Sequence, residues 1–150
     1  MNIAEDSLSE SEKILPLKIL VADDDMLNRR LMQLLLVHEG HLVDVVTNGL
    51  EAFDAVKFKK FDMVLMDLHM PVMDGIEASN RIREWENGGQ HTFIVALTGS
   101  YLPEEGQRLF EAGIDNYIPK PFEMKHLQRM LKYRSDAILA HSSSESRTSL

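Results

Sequence analysis

Five short apolar segments alternate along the chain with longer segments that repeat hydrophobic residues at helical spacing, and this alternation strongly constrains the fold. Their length and β-branched content predict that the short segments are strands. These strands are Leu17 to Ala22, Leu42 to Thr47, Phe61 to Met66, Phe93 to Leu97 and Asn116 to Ile118. Because repeated strand-then-helix units form parallel sheets with helices on both faces, the chain is predicted to be a doubly wound, five-stranded α/β domain.

The segments between the strands predict five helices. The apolar faces of the three longest are predicted from Leu27, Leu31, Leu34 and Leu35, from Ala78, Ile82 and Trp85, and from Leu127, Met130, Leu131 and Ile138. Two shorter helices are predicted around Gly49 to Phe58 and Pro103 to Ala112. Gly40 and Gly113 follow helical segments, at positions where helices commonly end.

Both ends of the chain are polar. The start is acidic and the last ten residues, HSSSESRTSL, are rich in serine, so neither end carries enough apolar surface to offset the entropy of ordering. We therefore expect a mobile acidic tail over residues 1–16, a folded domain over residues 17–139, and a mobile serine-rich tail over residues 140–150.

Composition excludes several classes of protein. The 150 residues contain no cysteine, which excludes a disulfide scaffold, a thiolate zinc site and a cysteine nucleophile. The formal charge of −8 without a basic stripe argues against direct nucleic-acid binding. No apolar run reaches the roughly 20 residues of a membrane helix, and the acidic start is unlike a signal peptide. We expect a cytoplasmic protein with no membrane contact.

Charged and hydroxyl side chains follow the predicted strands at one edge of the sheet. Asp23, Asp24 and Asp25 follow the first strand and Asp67 ends the third, while Thr98 and Lys120 end the fourth and fifth. The carboxyl ends of parallel strands meet at one edge, where ligands bind. Gathered carboxylates repel one another, and Mg²⁺ would compensate that repulsion. An alternative for the aspartate triplet is that it caps the next helix, although one aspartate suffices for a cap.

Asp67 is the candidate nucleophile of this edge. A carboxylate beside bound Mg²⁺ can attack a phosphoryl group. Lys120 would then supply a cation and Thr98 a hydroxyl for the transferred group.

These residues lie within motifs that resemble a known family. The segments ILVADDD, MDLHMPVMDG, ALTGS and YIPKPF occur in the order and spacing of the receiver, or phosphoacceptor, domain of two-component response regulators. The resemblance covers about Leu17 to Ile138. It implies a flavodoxin-like (βα)5 fold with strand order 2-1-3-4-5, and a signalling domain that catalyses only its own phosphorylation and dephosphorylation.

The resemblance also implies roles for individual residues. Asp67 matches the phosphoacceptor, and Asp23, Asp24 and the backbone carbonyl of His69 match the other ligands of Mg²⁺, with Mn²⁺ as the alternative ion. Thr98 and Lys120 match the groups that contact the phosphoryl oxygens, and Tyr117 with Thr98 matches the switch pair. Pro71, Gly75 and Pro121 match structural positions, and the Lys120–Pro121 bond matches one that is usually cis.

The function predicted from these features is a phosphorylation-controlled switch without an output domain in the chain. The partners would be a sensor histidine kinase or a histidine phosphotransfer protein, and a downstream protein or dimer mate. The downstream partner would contact the fourth helix, fifth strand and fifth helix, a surface that includes Arg108, Tyr117 and Met124 to Gln128. The alternative within the family is a receiver segment of a hybrid histidine kinase that passes the phosphoryl group to a histidine phosphotransfer protein.

Two other classes remain as distant alternatives. A Mg²⁺-dependent phosphatase of the haloacid dehalogenase type would need a second aspartate two residues after the nucleophile, where this chain has His69. A flavin-binding module would need a phosphate-binding loop after the first strand, where three aspartates would repel phosphate.

Overall fold

The structure is a computed structural model that describes residues 14–99 and 103–148. Its strands are β1 (Lys18–Ala22), β2 (Leu42–Val46), β3 (Met63–Asp67), β4 (Ile94–Thr98) and β5 (Asn116–Pro119). Its helices are α1 (Met26–His38), α2 (Gly49–Phe58), α3 (Gly75–Glu86), α4 (Pro103–Glu111) and α5 (Met124–Thr148). All paired strands are parallel and their order is β2-β1-β3-β4-β5, which confirms the predicted fold.

Two hydrophobic layers cover the sheet. Because side chains alternate along a strand, β1, β3 and β4 send residues to both layers, and most of them are fully buried. One layer packs against α2, α3 and α4; its helical residues are Ala52, Val56, Ala78, Ile82 and Leu109, and Ala112, just after α4, joins them. The other packs against α1 and α5, and its helical residues are Met32, Leu36, Leu127, Met130 and Leu131. This layering leaves the carboxyl edge of the sheet open.

The apolar face predicted for α1 is wrong. Met32 and Leu36 are its buried residues, whereas Leu27, Leu31 and Leu34 are exposed and Leu27 keeps 76% of its surface. The helix carries large apolar residues around most of its circumference, so their spacing did not single out the face that meets the sheet. A similar error affects Trp85, which is 43% exposed, although Ala78 and Ile82 on the same helix are buried as predicted.

The ends of the domain differ from the predicted boundaries. Ile14 and Leu15 pack against the core, and the Leu15 amide donates to Ser135 Oγ at 2.9 Å, so residues 14–16 belong to the folded unit. At the other end α5 continues through Thr148 rather than stopping at residue 139. Extending an existing helix needs no new nucleation, so a serine-rich segment can prolong it. Residues 1–13 and 149–150 of the predicted tails lie outside the described residues, and the mobility of residues 140–148 stays a prediction.

Candidate functional site

Three carboxylates meet at the carboxyl edge of the sheet. Asp23 follows β1, Asp24 is next along the chain, and Asp67 is the last residue of β3, the neighbouring strand. One carboxylate oxygen from each lies within 4.8 Å of the others. Asp23 and Asp67 are buried and Asp24 is exposed. The sequence therefore identified the residues of this cluster, and parallel pairing of β1 with β3 brings them together.

Of the three consecutive aspartates, Asp23 and Asp24 belong to the carboxylate cluster and Asp25 caps a helix. Asp25 is the N-cap of α1, and its side chain accepts a hydrogen bond from the Asn28 amide at 2.9 Å. The Asp25 amide in turn donates to Asp23 Oδ1 at 2.9 Å, which fixes the Asp23 side chain. The capping interpretation thus holds for Asp25 alone, and Asp23 and Asp24 are left for the cluster.

Lys120 places a positive charge beside Asp67. Its ammonium lies 3.1 Å from Asp67 Oδ2, and its amide donates to the Thr98 carbonyl at 2.7 Å. Thr98 is buried at the end of β4, the strand between those that carry Asp67 and Lys120. The Lys120–Pro121 peptide bond is cis, as the resemblance implied. Lys120 thus pairs directly with Asp67, one of the three clustered carboxylates.

The pKa of Asp23 is raised, chiefly by burial and also by the neighbouring Asp67 carboxylate. The pKa is raised from 3.8 to about 6: burial, which disfavours the charged form, is the largest cause, and the nearby Asp67 carboxylate adds to it, while the Asp25 amide and Lys120 act in the opposite direction. A divalent cation would remove that penalty by compensating the carboxylates. Oxygen donors gathered within a few ångströms are the donor set that Mg²⁺ prefers, so these residues fit the metal.

The loop between β3 and α3 passes directly over Asp67. The His69 amide lies 3.3 Å from Asp67 Oδ1, and its side chain is exposed. The Gly75 amide donates to the Leu68 carbonyl at 3.0 Å, and a β-carbon at Gly75 would collide with the Asp67 carbonyl oxygen. The Pro71 carbonyl accepts from the Met73 amide at 2.7 Å and tightens the turn. Only glycine at position 75 lets α3 start so close to the end of β3.

Gly49 is a supporting residue that the sequence analysis did not assign to the site. It begins α2, and its amide donates to the Met73 carbonyl of the β3–α3 loop at 2.8 Å. A β-carbon there would collide with that carbonyl, so the close approach requires glycine. Its only signal in the sequence is a glycine at the start of a helix, which carries no indication of a contact 24 residues away.

Tyr117 lies in β5, at the edge of the sheet. It is half-buried and packs against the hydrophobic layer shared with α2, α3 and α4. In the register of the sheet it pairs with Ala96, two residues before Thr98. This position suits the predicted switch pair, whose motion stays a prediction.

A family model decides the classification. The model of the response regulator receiver domain matches residues 19–132, and that range contains every residue of the site described above. The chain belongs to the response regulator receiver domain family. It is therefore a receiver domain of phosphorelay signalling, which is a signalling module rather than a classical enzyme.

Curated relatives of this receiver domain are histidine kinases. The sensor histidine kinase GacS of Pseudomonas protegens is 38% identical over 124 residues, which cover 81% of this chain and 14% of GacS. Probable histidine kinase 1 of Oryza sativa subsp. indica is 30% identical over 162 residues, 85% of this chain and 17% of the kinase. The chain thus spans less than a fifth of the length of these relatives.

Solved receiver domains share the fold closely. The receiver domain of sensor histidine kinase PA1611 from Pseudomonas aeruginosa, with magnesium in its active-site cleft, is 32% identical with a TM-score of 0.73. That match covers 81% of this chain and 99% of the other. The receiver domain of Saccharomyces cerevisiae Ssk1, crystallised with the phosphotransfer protein Ypd1, is 26% identical with a TM-score of 0.78, over 82% and 91% of the two chains. In the described part of this chain, no helix is both long and apolar enough to cross a lipid bilayer.

Proposed function

We propose that this receiver domain accepts a phosphoryl group from a phosphohistidine onto Asp67, with Mg²⁺ held by Asp23, Asp24, Asp67 and the carbonyl of His69. The observation that carries the proposal is the convergence of three carboxylates within 4.8 Å, with the Lys120 ammonium 3.1 Å from Asp67. When bound, the metal would supply positive charge for the phosphoryl oxygens.

The residues of the chain have separate roles in the transfer. A bond forms between phosphorus and an Asp67 carboxylate oxygen while the phosphorus–nitrogen bond breaks, and the departing imidazole keeps the electron pair and takes up a proton. The Lys120 ammonium, which pairs with Asp67 before transfer, would then pair with a phosphoryl oxygen. Thr98, at the end of the adjacent strand, would donate its hydroxyl to another.

The test is phosphorylation by acetyl phosphate with Mg²⁺, read by intact-protein mass spectrometry. We expect one acid-stable, base-labile phosphoryl group on the wild-type protein and none on Asp67→Asn. Asp74→Asn is the matched control, because Asp74 is the exposed N-cap of α3 and its amide variant keeps the capping oxygen. A phosphoryl group mapped to Asp24 or Asp74 would refute the assignment of Asp67.

The same assay addresses the distant alternative of a Mg²⁺-dependent phosphatase. Such an enzyme needs an acid–base group two residues after the nucleophile, and that residue is His69, whose side chain is exposed. We expect no sustained turnover of phosphate monoesters. Steady release of phosphate from such esters, abolished by Asp67→Asn, would favour the phosphatase.

We assign the approach of the phosphodonor to α1. Its exposed residues Leu27, Leu31 and Leu34 form a stripe that begins two residues after the Asp25 cap. Leu31 also lines a cavity of about 610 Å³ that reaches Asp23 and Lys120, so apolar contact there would lie beside the acceptor. The similarity to GacS and to the Ssk1 receiver bound to Ypd1 supports a histidine kinase or a histidine phosphotransfer protein as the partner.

Two phosphodonors separate docking from chemistry. Leu31→Ser is expected to slow transfer from a phosphorylated histidine phosphotransfer protein at least tenfold, and to leave labelling by acetyl phosphate unchanged. Phe58→Ser is the control, because Phe58 is 93% exposed at the end of α2, outside the stripe. Equal rates for Leu31→Ser and Phe58→Ser with the protein donor would remove α1 from the docking surface.

Downstream output is assigned to α4, β5 and α5. Tyr117 and the exposed Phe110 border a cavity of about 200 Å³ next to β5, which leaves room for Tyr117 to change its packing. Phosphorylation adds roughly −1.5 to −2 charges at Asp67 and would shift the population of Thr98 and Tyr117 conformers. Amide NMR shifts with and without beryllofluoride provide the test. Changes confined to the surroundings of Asp67 would contradict a switch at Tyr117.

Phosphoryl transfer also distinguishes a receiver segment of a hybrid histidine kinase from a separate switch protein. The relatives of which it matches only a small part are histidine kinases, which supports the alternative of a receiver segment that passes its phosphoryl group to a histidine phosphotransfer protein. A separate switch protein would instead keep the phosphoryl group until a downstream protein is bound. Back-transfer from Asp67 to a purified histidine phosphotransfer protein favours the first arrangement, and its absence favours the second.

A further inference from the structure

Arg29 contacts the backbone of the metal-binding loop. Its guanidinium NH1 donates to the Asp23 carbonyl at 2.9 Å, from the second turn of α1. On the other side, the Asp23 amide donates to the Val46 carbonyl of β2 at 3.2 Å. The backbone of Asp23 is therefore held from both directions, at the residue where the chain leaves β1.

Asp24 depends on this restraint more than its neighbours do. Asp23 is fixed by the Asp25 amide and Asp67 by Lys120, through contacts to their own carboxylates. Among the described residues, no hydrogen bond or ion pair to the Asp24 carboxylate is present. Its position within 4.8 Å of the other two carboxylates is set by the direction in which the backbone leaves Asp23.

We propose that Arg29 is a positioning residue of the metal site, holding the Asp23 carbonyl so that the Asp24 carboxylate faces the cation. This inference rests on the proposed function, since it concerns the same Mg²⁺ site. A partner of this kind, which touches a ligand residue and not the metal, typically changes metal affinity by about 10- to 100-fold when removed.

If Arg29 acted only through its charge, its removal would strengthen Mg²⁺ binding rather than weaken it. A guanidinium near a cation site repels the cation, so deleting its charge would tighten Mg²⁺ binding if Arg29 acted only as a charge. Glu51 of α2, which interacts electrostatically with Arg29, already accepts hydrogen bonds from the Thr47 amide and hydroxyl at 2.7 and 2.6 Å. The direction of the change in Mg²⁺ affinity therefore separates positioning from charge.

The test compares Arg29→Ala with Arg30→Ala by titration calorimetry of Mg²⁺. Arg30 is the matched control, because it is the next residue, exposed, and its side chain reaches Gln33 at 3.4 Å. We expect Mg²⁺ affinity about tenfold weaker in Arg29→Ala and unchanged or slightly tighter in Arg30→Ala. Arg29→Lys, which keeps a charged donor, is expected to recover part of the loss.

A second measurement excludes general damage to the domain. Labelling by acetyl phosphate across a series of Mg²⁺ concentrations should show a raised half-saturating Mg²⁺ concentration for Arg29→Ala and the wild-type maximal rate. Mg²⁺ affinity equal to that of Arg30→Ala would overturn the inference while leaving Asp67 as acceptor. Absence of Mg²⁺ binding by the wild-type protein would instead refute the proposed function. If Arg29→Ala does not fold, Arg29→Lys against Arg30→Lys carries the comparison, and equal affinities would again overturn it.

Discussion

The two ends of the parallel sheet differ in how their carboxylates are compensated by positive charge. At the carboxyl end, the carboxylates of Asp23, Asp24 and Asp67 lie within 4.8 Å of one another, and the Lys120 ammonium lies 3.1 Å from Asp67. At the amino end, Glu86 and Asp115 are compensated by Arg83, which lies 2.6 Å from Glu86 and 3.0 Å from Asp115. Like charges therefore repel one another at the carboxyl end, whereas ion pairs with Arg83 offset that repulsion at the amino end.

Carboxylates at the amino end also accept hydrogen bonds from backbone amides at or next to the strands. Glu86 accepts from the Thr92 amide at 2.6 Å and Asp115 from the Ile94 amide at 2.8 Å, while Asp62 accepts from the Lys18 amide at 2.9 Å. Buried polar groups that are satisfied in this way stabilise the fold, whereas an uncompensated carboxylate cluster lowers stability and favours a cation. The amino end thus stabilises the fold, whereas the carboxyl end carries the carboxylates that are proposed to bind Mg²⁺.

Breaking the amino end should have the largest effect. In Arg83→Met the Glu86 carboxylate, 3% exposed, loses its cation and the Gly113 carbonyl loses a donor. Leaving a buried charge unpaired costs about 3 to 4 kcal/mol of unfolding free energy. Urea denaturation measures the loss, and Mg²⁺ affinity should not change.

The control for this variant is Arg81→Met on the same helix. Arg81 pairs with Glu77 at 3.4 Å, and both side chains are about half exposed, so its loss should cost less than about 1 kcal/mol. Equal destabilisation by the two variants, or a weaker Mg²⁺ affinity in Arg83→Met, would show that the two ends are not separate in their roles.

A smaller effect is expected at the carboxyl end, where removing a charge should stabilise the metal-free protein instead of destabilising it. Because the folded pKa of Asp23 is about 6 and its ordinary value is 3.8, the folded state binds a proton that the unfolded state has released. The stability of the metal-free protein should therefore fall as pH rises from about 4 to 6, by on the order of 2 to 3 kcal/mol. Denaturation in EDTA across this range measures the slope.

Asp23→Asn should remove that slope and raise the stability of the metal-free protein at pH 7. We expect Mg²⁺ to raise the melting temperature of the wild-type protein, because the proposed site exists in the folded state alone, and the same variant should abolish most of that increase. A variant that is less stable than the wild type in EDTA at pH 7 would contradict repulsion at this end.

The sequence predicted the carboxyl end well because its geometry follows from strand order. Asp23, Asp67, Thr98 and Lys120 each lie at or next to a strand terminus, and parallel pairing brings those termini to one edge. Each residue could therefore be located from a local pattern and one fact about the sheet. The supporting contacts of Gly49 and Arg29 depend on loop geometry and had no such pattern.

The ion pairs of the amino end could not be predicted either, because they too depend on contacts that leave no local pattern in the sequence. Arg83 and Asp115 are 32 residues apart, and on a helix and in a loop such residues are usually exposed. The apolar stripe of α1 failed differently, because Leu27, Leu31 and Leu34 match the helix period as well as the buried Met32 and Leu36 do. Periodicity identifies that helix, and the neighbouring layer selects its buried face.

The smallest predicted effect concerns His41, at the start of β2 on the amino end. Its buried ring accepts the Leu17 amide hydrogen at Nδ1, at 3.0 Å, and burial lowers the pKa of the ring below its ordinary 6.5. The folded state therefore releases a proton that the unfolded state keeps. Its contribution to stability is fully present above pH 6.5 and is lost as pH falls through the folded pKa.

His41 and Asp23 thus give the two ends of the sheet opposing pH slopes, since acid stabilises through Asp23 and destabilises through His41. In an Asp23→Asn background the Asp23 slope is absent, and the stability should fall through His41 as pH drops below 6.5. Adding His41→Phe should remove this slope and cost about 1 to 2 kcal/mol at pH 7.5, because the buried Leu17 amide loses its acceptor. Denaturation curves at pH 5.5 and 7.5 measure both effects. A slope that survives His41→Phe would mean that another group at the amino end releases the proton on folding.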